Sequence, residues 1–136
     1  MMVLWNYTFQ GVEYMVWDAA MGDAPGTAAV ELLCNRHYGI GADRLLLVDA
    51  QAALRVLAAD GAEREAEAMD RLVLACHLRR HGRSANAAAL VKALGDQALV
   101  RMQQMEASLS CFEVRLTDTF CAKLAALDRV AETLAC

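Results

Sequence analysis

This sequence of 136 residues predicts an α+β fold in which strands wrap around a buried helix. Three observations carry that class. Val3 to Gln10 and Tyr14 to Trp17 are aromatic and β-branched runs separated by Gly11, the signature of paired strands. Glu63 to Arg80 places Ala66, Met69, Leu72, Val73 and Cys76 on one helical stripe. Leu74, Ala75 and Leu78 widen the stripe until most sides are apolar, which marks a helix inside a domain rather than on its surface.

The elements follow in order. Asp23-Ala24-Pro25 opens a helix, because a proline in the first turn loses no hydrogen bond. Val30, Leu33 and Cys34 share its apolar face, and Gly39 is expected to stop it in the left-handed conformation. Leu45 to Asp49 and Leu54 to Ala58 are short apolar runs, and Asp60-Gly61 is a turn before the Glu63–Arg80 helix. Gly82-Arg83-Ser84 ends that helix. Ala87 to Leu94 reads as a short helix, while Ala98 to Met105 and Ser108 to Leu116 read as two strands. Thr117-Asp118 supplies an N-cap for a last helix, whose stripe is Phe120, Leu124, Leu127, Val130 and Leu134.

Composition bounds the function. The chain is 57% hydrophobic and 22% charged with one proline, which excludes disorder and fits one domain over 1–136. A small domain this apolar is expected to hide a face against a second copy, so a homodimer is expected. A net charge of −4 and scattered basic residues argue against nucleic acid. Arg79, Arg80, His81 and Arg83 cluster at a helix C-terminus, where the helix dipole accounts for them. No apolar stretch is long enough for a membrane span, and MMVLWNYTFQ does not read as a signal peptide. Five spaced cysteines without a CxxC pair suggest reduced thiols, no structural zinc and a cytoplasmic protein.

The ordered motifs GVEYMVWDA (Gly11 to Ala19), NRHYGIGADRLLLV (Asn35 to Val48) and AADGAE (Ala58 to Glu63) resemble the amino-terminal lobe of diaminopimelate epimerase. The resemblance covers about residues 1–82. It implies a curved, mostly antiparallel sheet around a central helix, with substrate held between two such lobes and no cofactor. It also implies inversion of an amino-acid α-carbon by a pair of cysteines. The helix start after Ala-Asp-Gly would hold the substrate carboxylate on its backbone N–H groups.

Transferred position by position, most of these roles meet altered residues. The family asparagines of the first and third motifs are Val12 and Ala58, and the residue after the loop aspartate is Arg44. The Cys-Gly-Asn-Gly at the helix start becomes Glu67, Ala68, Met69 and Asp70. Glu63, Glu65, Glu67 and Asp70 are expected to crowd the first helical turns, each stabilising the dipole by about 0.3–1 kcal/mol and repelling an anion. The second lobe and its cysteine are not in the sequence. The expectation is a catalytically inactive, single-lobe binding or assembly module. The alternative is an amino-acid epimerase or racemase of altered mechanism, with its site at a homodimer interface or against a separate partner lobe. In it Glu67 would replace the base, with Asp70 one turn on.

The remaining candidates read as structural. Cys76 and Cys34 lie on apolar faces as small hydrophobes. Cys111 sits in a strand, and nothing visible activates Cys121 or Cys136. His77 and His81, at i and i+4, lack a third metal ligand and are expected to favour the helix dipole. His37 is expected to cap the preceding helix or pack under the loop. The Gly39-Ile40-Gly41 run follows a helix and opens a strand, the reverse of a nucleotide-binding loop, so it reads as a turn fixed by Asp43.

Overall fold

The computed structural model describes residues 2–18 and 24–135. Met1, Ala19, Asp23 and Cys136, which belong to stretches named above, lie outside them. The strands are β1 (Met2–Phe9), β2 (Val12–Asp18), β3 (Arg44–Val48), β4 (Leu54–Ala58), β5 (Glu63–Arg64) and β6 (Ser110–Leu116). They form one sheet in the order β5-β4-β3-β2-β1-β6. Only β2 and β3 pair in parallel; the other pairings are antiparallel. The helices are α1 (Thr27–Cys34), α2 (Ala68–Arg80), α3 (Ser84–Ala93), α4 (Ala98–Ser108) and α5 (Asp118–Ala135).

Alternation along the strands divides the core. Tyr7, Tyr14, Val16, Leu46 and Val56 face α2, α3 and α4, whereas Leu4, Met15, Trp17, Leu45 and Leu47 face α1 and α5. Every residue of α2 from Leu72 to Leu78 is buried. Each such leucine contributes roughly 1.5–3 kcal/mol relative to an exposed one. The buried central helix is therefore present, but strands do not enclose it. The sheet covers one side and α3 and α4 the other.

That difference traces to α4. Ala98 to Met105 is helical rather than extended. Ala98, Met102 and Met105 are its buried residues, at i, i+4 and i+7, while Leu99 and Val100 are exposed. Leu, Met, Gln and Arg favour a helix, and one valine does not override them. The start of α2 also differs. Glu63 and Arg64 pair with β4, and the helix begins five residues later than expected, at Ala68. Glu63 and Glu65 thus stand outside the first turn, which carries only Asp70.

Gly39 does not end α1 in a left-handed turn. The helix ends at Cys34, and Asn35 follows in extended conformation. A β-carbon at Gly39 would stand 1.8 Å from the Leu32 carbonyl oxygen, so close backbone approach is what requires glycine. Gly41, at φ +89°, is the left-handed residue of this loop. No helix among the described residues is long and apolar enough to cross a membrane.

Candidate functional site

The positions that the resemblance singled out converge on one corner. β2 and β3 start there, and antiparallel β4 ends there, which brings Val12, Arg44 and Ala58 to the same end of the sheet's strands. The register aligns Tyr7, Tyr14, Arg44 and Ala58 across four neighbouring strands. The start of α2 lies over this row. Arg44 Nε donates to Asp70 Oδ1 at 2.7 Å, and Arg44 Nη2 donates to Oδ2 at 2.6 Å.

This fork is the dominant feature of the corner. The Asp70 side chain is 1% exposed and that of Arg44 20%. Asp70 Oδ2 also accepts the Glu67 backbone N–H at 2.8 Å, which caps the helix start. The bond from Asp70 holds the Arg44 guanidinium above its ordinary pKa, against the cost of its partial burial. Burial and the nearby Asp70 carboxylate raise the Tyr14 phenol. The helix start, which attracts anions through its free N–H groups and dipole, carries an anion of its own.

The other positions fit around the pair. Val12, Ala66 and Met69 pack against the α2 side of the core. Ala58 is half-buried, whereas Glu67 and Ala68 are exposed. Glu67 therefore stands exposed at the N-cap and not in a closed apolar site. A groove of about 370 Å³ beside this corner is lined by Phe9, Gln10, Met69, Leu72, Arg101 and Met105 among others. Met69 alone of the altered positions touches it.

The loop from Asn35 to Asp43 is clipped to the same strands. Asn35 Oδ1 accepts the N–H groups of His37 and Tyr38 at 2.8 and 2.9 Å. Arg36 bridges Glu13 at 2.8 Å and Asp43 at 2.9 Å. Asp43 Oδ2 accepts the Glu13 N–H at 2.9 Å, and the Asp43 N–H donates to the Glu13 carbonyl at 2.9 Å. Asp43 thus fixes the loop as expected, through β2 as well as locally. His37 is exposed and neither caps α1 nor packs beneath the loop.

At the opposite end of α2 lies a polar cluster that the sequence reading saw only in part. The Tyr7 hydroxyl and His77 Nδ1 are 2.7 Å apart, with both residues buried. His81 Nδ1 lies 2.7 Å from the His77 carbonyl oxygen, and its ring meets Trp5 edge-on at 4.3 Å. Burial, then the neighbouring His81, Arg83 and Arg80, push His77 down to about 3. His77 is therefore neutral and does not serve the helix dipole as a cation. Burial, first, keeps the Tyr7 phenol protonated. The signal for this pair lay in placing two buriable polar residues on facing elements, which local spacing does not reveal.

The buried thiols are inert by the same reasoning. Burial pushes Cys34 up to about 11 and Cys76 up to about 12. The thiolate is the reactive form, so neither is activated. Among the described residues no three His, Cys, Asp or Glu side chains are grouped to hold a metal. A second groove, of about 430 Å³, lies between α3, α4 and the end of α2, with Ala87, Val91, Leu99 and Met102 in its wall. Its Arg79 guanidinium is engaged by Glu106 at 3.5 Å. No protein-family model matches the chain, and no curated protein of known function matches its sequence.

Proposed function

We propose that this protein is a non-catalytic relative of the diaminopimelate epimerase lobe that works as a binding or assembly module, as a homodimer in the cytoplasm. The observation that supports this reading is the Arg44–Asp70 fork at the start of α2. In the plan that the motifs resemble, a substrate carboxylate would sit on those helix N–H groups. Here a side-chain carboxylate and its cation stand at the helix start, the carboxylate accepting the Glu67 N–H, and a second anion would meet Asp70. Carbanion chemistry also needs a dry enclosure, and the exposed Glu67 lacks one.

The alternative, an epimerase or racemase with its site against a second chain, draws on the same exposure, since Glu67 is open to a partner. One measurement separates them. Folded protein is incubated in deuterium oxide with diaminopimelate, lysine and a broad amino-acid panel, and α-carbon deuterium is read by mass spectrometry. No incorporation above the buffer blank is expected. Exchange that disappears in Glu67→Gln would overturn the non-catalytic reading and establish the alternative.

A further inference from the structure

We infer that a second copy of this chain docks along the outer edge of β6, so that two six-stranded sheets continue into one. The inference rests on the homodimer proposed above and names its surface. β6 is the terminal strand of the sheet, and among the described residues no strand lies beyond it. A terminal strand seven residues long presents main-chain donors and acceptors that another strand is suited to take.

The side chains of β6 select the partner. Its register with β1 sets Phe112, Val114 and Leu116 against Asn6, Leu4 and Met2, and Cys111, Glu113 and Arg115 against Tyr7, Trp5 and Val3. One face is thus apolar, and on it Phe112 remains 52% exposed. The other face carries opposite charges two residues apart, with Arg115 Nε bonded to Glu113 Oε1 at 2.8 Å.

A two-fold axis requires each strand to meet itself in reverse. Centred on Glu113 or on Arg115, antiparallel pairing sets like charges opposite each other. Centred on Val114, it sets Glu113 against the partner's Arg115, and Arg115 against the partner's Glu113. The same register sets Phe112 against the partner's Leu116 on the apolar face. Opposite charges directly across an antiparallel pair are favourable, and like charges are not. The strand is self-complementary in this register on both faces.

Sedimentation equilibrium at micromolar concentration tests this with four proteins: the wild type, Arg115→Glu, the double reversal Glu113→Arg with Arg115→Glu, and Leu127→Glu. Circular dichroism checks that each is folded. The substituted side chains in β6 are exposed, so the fold is expected to survive. The wild type is expected to be a dimer, Arg115→Glu to weaken it at least about tenfold, and the double reversal to restore it. Leu127→Glu, on the exposed stripe of α5, is expected to change nothing.

A monomeric wild type would remove both the homodimer and this surface. A dimer indifferent to Arg115→Glu would overturn the β6 surface and leave the homodimer standing. Loss of the dimer in Leu127→Glu alone would move the interface to α5. Failure of the double reversal to restore what Arg115→Glu removes would overturn the Val114-centred register.

Discussion

The two ends of α2 solve one problem in opposite ways. Each carries a buried polar side chain that reaches the same row of the sheet. At the start, Asp70 is engaged by a guanidinium and a backbone N–H. At the finish, His77 is neutral and shares one hydrogen bond with the equally neutral Tyr7. A buried charge without a partner costs several kcal/mol, whereas a buried neutral group needs only a hydrogen bond. The start of the helix is therefore held by charge and sensitive to losing a partner. The finish is held by neutrality and sensitive to acid.

The largest expected effect breaks the first arrangement. Arg44→Ala strands a carboxylate that is 1% exposed. We expect destabilisation of about 3–5 kcal/mol in urea unfolding at pH 7. Arg44→Met with Asp70→Leu, which removes both charges, is expected to recover most of that loss. If Arg44→Ala costs under about 1 kcal/mol, the pair does not secure this corner.

The next effect tests acid sensitivity at the other end. The ordinary histidine pKa is 6.5, and His77 in the folded protein is at about 3. Between those values the unfolded chain binds a proton that the folded one refuses. Its contribution to stability is complete above pH 6.5 and falls as pH drops toward 3, by up to about 1.4 kcal/mol per pH unit. Unfolding free energies measured from pH 7 to 4.5 in the wild type and His77→Asn should diverge accordingly, with the wild type falling more steeply. Parallel curves would show that His77 charges freely in the folded state.

The smallest effect concerns the hydrogen bond itself. Tyr7→Phe keeps the ring and leaves His77 Nδ1 without its partner in a buried site. A loss of roughly 1–3 kcal/mol is expected from thermal or urea unfolding. A neutral substitution would mean that water or another group satisfies the imidazole.

Much of this architecture was legible because its signals are local. Aromatic and β-branched runs placed β1 and β2, and Thr117 placed the start of α5, where its Oγ1 accepts the Phe120 N–H at 3.1 Å. The apolar residues from Leu72 to Leu78, interrupted at His77, identified the buried helix. α4 was missed because Val100, beside Leu99 and two residues before Met102, imitates a strand. The decisive spacing was at Ala98, Met102 and Met105. The loop's glycines were recognised as structural, yet the reason for Gly39 is a carbonyl passing it, which no composition encodes.

The site divided along the same line. Sequence marked Arg44 and Asp70 as altered positions, but not as each other's partner, because the bond spans 26 residues. Tyr7 and His77 are 70 apart. Pairings at such separations come from the folded topology, and local periodicity is silent about them.

That topology also orders events in time. β1 has two neighbours: β2 follows within a few residues, but β6 aligns Leu116 with Met2. A ribosome delivers the first hairpin early and the strand that flanks its other side near the end of these elements. Until β6 emerges, β1 is itself an open edge, with Leu4 and Tyr7 awaiting their final cover. Pairing across so long a separation closes slowly and leaves an aggregation-prone interval. Nascent chains halted before residue 110 should therefore depend on chaperones more heavily than chains released after 116, a vulnerability of synthesis that the finished sheet conceals.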